Sequence, residues 1–283
     1  MKVTFWGVRG SIPAPGAEFN RYGGNTPCVS VNIGSELIVF DAGTGITGLG
    51  RSLMEGGFGK GQGVAALLLT HGHWDHIQGF PFFPPVYVPN NHLVIYGSTH
   101  SSGMVEGILE GQMNPHFSPV QSLRNLGANI EFKTISEEEN TNIGSVKVSA
   151  RPVPHGQITS LAYRLEKGDR SLIYVPDVGY PDGMPSDDLL EFYQGVDCLI
   201  HDTTYDEAER KQREARGYCS NVVAAKVAAA AGVKHLVMFH YDQDHIDERI
   251  DELRDETRAL LDSLPGGKAI KLTAAREGLT LKV

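Results

Sequence analysis

The chain has 283 residues, with 25 Lys and Arg against 34 Asp and Glu, giving a formal net charge of −9. That balance argues against a protein that coats nucleic acid electrostatically, because such proteins carry a basic excess or a basic stripe. A hydrophobic fraction of 41% and a charged fraction of 21% suit a globular chain and argue against disorder or fibrous repeats. Cys28, Cys198 and Cys219 lie far apart with no CxxC pair, so a disulfide framework is not expected and a reducing, cytoplasmic setting is. The opening MKVTFWGVRG lacks the basic start, apolar stretch and small-residue site of a signal peptide. No apolar run approaches the roughly 18 residues that span a bilayer.

Short β-branched runs bounded by Gly, Pro, Asn or Ser predict strands at 3–6, 29–33, 37–40, 64–69, 92–96, 130–133, 146–150, 161–165, 171–175, 197–200 and 235–239, with a hairpin-like pair around Glu277-Gly278 at the end. Helical spacing falls at 45–54, 104–112, 185–193, 206–216, 221–231 and 246–264. The strands come in two halves, each ending in helices, and no Pro- or Ser-rich linker divides them. One layered domain over 1–283 with internal two-fold character is therefore expected. The stretch 97–119, with Ser-Ser-Gly and Asn114-Pro115, has the composition of an excursion folding over one face.

Chemistry concentrates in Thr70-His71-Gly72-His73-Trp74-Asp75-His76, directly after the apolar run VAALLL. A strand ending there delivers three imidazoles and a carboxylate into one loop at a sheet edge, and that donor set suits a borderline cation such as Zn²⁺. The motif HxHxDH resembles the metallo-β-lactamase superfamily, in particular its phosphodiesterase branch, which includes tRNA 3′-end endonucleases and cyclic-phosphate phosphodiesterases. The resemblance extends over nearly the whole chain. Phe40-Asp41-Ala42-Gly43-Thr44-Gly45 is similar to the family's strand-Asp-x-Gly turn, Pro154-His155-Gly156 to its third-histidine motif, Tyr174-Val175-Pro176-Asp177 to its bridging aspartate, and Met238-Phe239-His240 to its last histidine.

The resemblance implies an α/β fold, a four-layer αββα sandwich of two mixed sheets flanked by helices, with two divalent ions at one edge, zinc first and manganese second. By the same resemblance one ion takes His71, His73 and His155, the other takes Asp75, His76 and His240, and Asp177 bridges them. A metal-bridged hydroxide would then attack phosphorus, with Asp75 also orienting the water. Asp41 is either a turn residue or a brace for a ligand histidine. His92, His100, His116, His235 and His245 have no partner spacing and read as surface or core residues, His116 with a second reading in a lid.

The tRNA endonucleases carry His-Glu-Ala-Thr and Gly-His-Ser-Thr segments beside the metals. Here the matching segments are His201-Asp202-Thr203-Thr204 and Gly217-Tyr218-Cys219-Ser220. Asp202 and Tyr218 are accordingly expected near the departing oxygen, Tyr218 as a hydrogen-bond donor because its pKa lies near 10. The substitution by Tyr218, the charge and the lack of a basic arm favour a small or cyclic phosphodiester, such as a cyclic nucleotide, over extended nucleic acid. The cluster Arg210, Lys211, Arg213 and Arg216 shares its segment with Glu207, Glu209 and Glu214 and reads as an ion-paired face. Arg9, Asn25 and Thr26, in two glycine-rich turns, are candidates for phosphate or base contact, and no substrate-binding residue is assigned. The alternatives are a tRNA 3′-end endonuclease, a lactone, β-lactam or thioester hydrolase, and a non-catalytic metal-binding member. No membrane association is expected, and a homodimer is compatible with the resemblance.

Overall fold

The computed structural model describes residues 1–98, 105–116, 118, 120–136 and 140–283. Its strands are β1 (Lys2–Gly7), β2 (Cys28–Ile33), β3 (Glu36–Phe40), β4 (Val64–Leu68), β5 (His92–Gly97), β6 (Asn129–Thr134), β7 (Thr141–Ile143), β8 (Val146–His155), β9 (Ile158–Lys167), β10 (Arg170–Val175), β11 (Cys198–Asp202), β12 (His235–Phe239), β13 (Lys271–Ala274) and β14 (Thr280–Lys282). They form two sheets, ordered β14-β1-β2-β3-β4-β5-β6 and β13-β12-β11-β10-β9-β8-β7. In the first, β14 to β3 pair antiparallel and β3 to β6 pair parallel. The second repeats the pattern, antiparallel from β7 to β10 and parallel from β10 to β13. This is the internal two-fold relation that the order of the runs suggests.

Alternating side chains explain the layers. Val3, Phe5, Val31, Ile38, Phe40 and Leu68 of the first sheet meet Val148, Leu165, Leu172, Tyr174, Ile200 and Val237 of the second in one buried cluster. On the outer face of the first sheet lie α1 (Ile46–Met54), the single turn α2 (Trp74–Ile77) and α3 (Val105–Gln112), which contribute Ile46, Leu49, Ile77 and Leu109. Outside the second lie α4 (Asp187–Tyr193), α6 (Asn221–Ala230) and α7 (Asp247–Ser263), burying Tyr193, Val223, Val227 and Leu261, while α5 (Glu207–Gln212) packs against α6. The result is the αββα sandwich.

Three local expectations are corrected. The residues around Glu277-Gly278 do not join a hairpin: β13 pairs with β12 and β14 with β1, so the chain crosses between sheets there. Its crossing is fixed by Gly278 N–H donating to Phe5 O (2.9 Å) and by Glu277 accepting from Asn25 N (2.6 Å) and Asn25 Nδ2 (2.9 Å). Strand β8 runs on to His155 through Pro152 and Pro154, and β9 starts at Ile158. Both prolines fall past the end of the β7 pairing, where a missing N–H leaves no break in a ladder. The predicted helix 206–216 begins with an Asp206–Glu209 capping box but gives way after Gln212 to a tighter turn at Glu214–Arg216. That turn ends at Gly217, which has φ 70° and lies against the Gly156 backbone so closely that a Cβ would sit 1.8 Å from Gly156 N. His100 and Met104 lie outside the described residues.

Candidate metal centre

Strand ends deliver the donors to one edge of the sandwich. The loop after β4 carries His71 and His73 and turns tightly into α2, with His76 N–H donating to His73 O at 3.0 Å. His155 closes β8, Asp177 follows β10 and His240 follows β12. His71, His73, His155 and Asp177 offer ligand atoms within 4.8 Å of one another, and so do Asp75, His76, Asp177 and His240.

Asp177, fully buried, belongs to both groups and divides its oxygens between them. Oδ2 lies 3.4 Å from His155 Nε2 and 3.7 Å from His71 Nε2, while Oδ1 lies 3.2 Å from His76 Nε2 and 3.0 Å from His240 Nε2. Asp75 Oδ2 completes the second group, 3.4 Å from His76 Nε2 and 3.3 Å from His240 Nε2. Both Asp177 oxygens and the Nε2 atoms of His71 and His76 are buried and make no hydrogen bond. Buried polar atoms without partners are costly, and convergent imidazole nitrogens sharing a carboxylate are what a pair of divalent cations would satisfy.

Charge agrees with this. Burial, followed by the neighbouring His76, holds His71 well below its ordinary pKa, so it offers a lone pair. Burial works against the Asp75 and Asp177 charges, yet the adjacent imidazoles keep both carboxyls below their ordinary values. Burial likewise opposes charge on His76 and His240, but the facing carboxylates raise both. Divalent cations would displace those protons, which is the usual coupling between metal binding and proton release.

A second ring of contacts fixes the imidazoles. Asp41, at φ 57° beyond β3, accepts from His76 Nδ1 (2.8 Å), Tyr174 OH (2.9 Å), Thr70 N (2.8 Å) and Thr70 Oγ1 (3.0 Å). With Nδ1 donating, His76 turns an unprotonated Nε2 inward. His155 Nδ1 donates to Gly217 O at 2.8 Å, with the same effect. His240 Nδ1 is 3.0 Å from Thr204 Oγ1, which donates in turn to Asp202 Oδ1 at 2.7 Å. Ser11 N–H donates to Asp75 Oδ2 at 2.7 Å. Sequence reasoning passed over Thr70, Thr204, Tyr174 and Ser11; only the adjacency of each to a ligand or to a motif signals it.

Asp202 does not face the cleft. It is fully buried, with Oδ1 accepting from Thr204 N (2.8 Å) and Oγ1, and Oδ2 from Val178 N (3.1 Å) and Cys219 N (3.1 Å). Burial pushes its pKa up to about 7. Tyr218 is half-buried over the centre, its ring 5.0 Å from His155 and stacked 5.6 Å from His240. Burial, then Asp177 and Asp75, raise its pKa, so the hydroxyl keeps its proton.

The two glycine-rich turns build the site from behind. Arg9 is fully buried and donates through Nε to Gly23 O (2.8 Å) and through a terminal nitrogen to Asp242 O (3.3 Å), beside Asp247 at 3.8 Å. Asn25 is tied to Glu277, and Thr26 exchanges hydrogen bonds with Thr44. Arg9 Nη2 makes no hydrogen bond, but it is buried and faces Asp247, so the guanidinium is sealed from solvent. Arg210 and Lys211 pair with Glu207 as an ion-paired face requires, whereas Arg213 reaches out of the segment to Asp242 and Arg216 enters no ion pair among the described residues. His92 pairs with Glu131, His245 with Glu209 and His235 with Thr273, while His116 is exposed.

Residues 37–241 match the beta-lactamase superfamily domain. The chain belongs to the beta-lactamase superfamily. Among its relatives is a ribonuclease Z of Picrophilus torridus, 24% identical over 285 residues that cover 87% of each protein. Among solved structures, the metallo-beta-lactamase fold protein YhfI of Bacillus subtilis superposes with a TM-score of 0.71 at 18% identity, over 99% of this chain and 98% of the other. A diphosphatase of the PhnP family superposes at 0.68 and 20% identity, over 100% and 97%. These neighbours share the two mixed sheets flanked by helices. Superfamily membership and the paired His/Asp clusters make the chain a metal-dependent hydrolase. No helix among the described residues is long and apolar enough to cross a membrane.

Proposed function

We propose that the protein is a dinuclear phosphodiesterase that hydrolyses a small or cyclic phosphodiester such as a cyclic nucleotide. The observation that carries this is Asp177, whose two oxygens face two separate histidine groups. His71, His73 and His155 would hold one cation, Asp75, His76 and His240 the other, and Asp177 both. Zinc suits the imidazole-rich set best, with manganese second. When bound, such a pair supplies Lewis acidity that activates water near neutral pH and offsets charge on the phosphoryl oxygens.

The chain's own groups do the rest. Ser11 N–H fixes Asp75 so that it both ligates and aligns the attacking water. Tyr218 donates its retained phenolic proton, as a hydrogen bond, to the leaving oxygen. Asp202 acts through Thr204, holding the His240 tautomer, and is assigned a positioning rather than a catalytic role. Both sheets contribute ligands across one shared core, which supports reading 1–283 as a single domain. Three buried free cysteines support a cytoplasmic setting.

A second reading, RNA 3′-end cleavage, is favoured by the name and length of the Picrophilus relative. Both readings share phosphodiester chemistry, and the diphosphatase among the neighbours is named for chemistry at phosphorus as well. The metal-loaded protein should be offered bis(4-nitrophenyl) phosphate, cyclic nucleotides, precursor tRNA and an acyl lactone. Turnover of the first two supports the proposal. Cleavage of precursor tRNA alone replaces it with the second reading, and turnover of the lactone alone overturns both.

A further inference from the structure

We propose that a cleft beside the metal centre seats a planar heterocycle, so that the substrate is a nucleotide. The inference rests on the phosphodiesterase reading and names its substrate class. Trp74, between His73 and Asp75 in the ligand loop, is 79% exposed, and Phe82 is 55% exposed. They border a cavity of about 510 Å³ whose other walls include Ile77, Pro81, Ile108 and Gln112. An indole left in solvent directly beside two ligands is an unmet stacking surface, because aromatic rings bury large areas and prefer offset or edge contacts with other rings.

The lining settles the kind of occupant. Among the described residues no Lys, Arg, Asp or Glu lines the cavity, so a chain of phosphates finds no counter-charge from them. A flat, neutral group with apolar faces matches the exposed rings of Trp74 and Phe82, and nucleobases are such groups. Stacking on an aromatic ring accepts any base, so the seat would select a heterocycle without selecting among them. The cavity opens beside Gly72 and Trp74, which flank His73, placing the phosphodiester of a seated nucleotide at the metal centre.

The chain has two tryptophans, and the other, Trp6, is held by its indole nitrogen to Ser30 at 2.9 Å, away from the cleft. In Trp6→Phe protein the emission therefore reports Trp74 alone. Titration with adenosine monophosphate should quench it saturably, and ribose 5-phosphate should require about tenfold more. Trp74→Leu should raise KM for a 2′,3′-cyclic nucleotide about tenfold with kcat little changed. Equal quenching by ribose 5-phosphate, or an unchanged KM in Trp74→Leu, overturns the seat, as does quenching by a medium-chain acyl lactone but not by the nucleotide. Failure of the metal-loaded protein to hydrolyse any phosphodiester overturns the activity instead, and the fluorescence titration reads the cleft independently of it.

Discussion

Asp41→Asn separates bracing from ligation at the second metal position. The substitution keeps shape, and asparagine tolerates the positive φ of 57° at this site. Four donors converge on the carboxylate, and the backbone N–H of Thr70, 2.8 Å from Oδ1, cannot turn away. The asparagine oxygen must therefore stay at Oδ1, which puts the NH₂ where Oδ2 faces His76 Nδ1 and Tyr174 OH. The tyrosine hydroxyl can rotate to accept. His76 can accept only by moving its proton to Nε2, the atom that points at Asp177 Oδ1 from 3.2 Å. Second-ring changes of this type cost about 10- to 100-fold in metal affinity, or about 1.4 to 2.8 kcal/mol. Calorimetric titration of metal-free protein with Zn²⁺ should show the equivalent held by His71, His73 and His155 unchanged and the other weakened by that factor. Two equivalents bound as tightly as in the parent protein would refute the tautomer argument.

Other perturbations reach the account from different sides. In Gly10→Ala the new Cβ would lie 2.3 Å from His240 Cε1; the ring must move, and kcat/KM should fall about 100-fold with little change in melting temperature. Tyr218→Phe keeps the stack on His240 and removes the donor, so kcat should fall about 100-fold for an alkoxide leaving group and only a few-fold for 4-nitrophenolate; equal losses would remove Tyr218 from the leaving-group side. His235, lowered to about 4 by burial and then by Lys271, contributes stability that is full above the ordinary value of 6.5 and is lost as pH falls towards 4, because the unfolded chain takes up the proton first. At 1.36 kcal/mol per unit its share is at most about 3 kcal/mol, and solvent screening reduces it; His235→Gln should flatten the denaturation midpoint over that pH range.

Legibility followed the reach of each physical signal. The β-branched runs mark strands because burial on both faces demands apolar side chains throughout, and HxHxDH at a strand end marks a metal loop because four donors within six residues have few other uses. The αββα architecture and the grouping of ligands were accessible through resemblance to a family. Signals failed where tertiary contact overrides local pattern. Pro152 and Pro154 conceal the end of β8, since only the short length of β7 makes them harmless. Arg9 looks like a phosphate ligand until its guanidinium is found bonded to backbone carbonyls from two distant segments. Asp202 occupies a motif position near the ligand cluster, but four donors turn both its oxygens inward. The cleft at Trp74 depends on α3 approaching the metal loop, which no spacing within either segment announces.

The central claim is that Asp177 joins two cations into one hydrolytic centre. The most direct measurement is turnover of bis(4-nitrophenyl) phosphate by metal-free protein as Zn²⁺ is added in known equivalents. Activity should rise to a plateau at two equivalents in the parent protein and stay at background in Asp177→Ala. A plateau at one equivalent, or full activity in Asp177→Ala, would contradict the bridged two-metal centre.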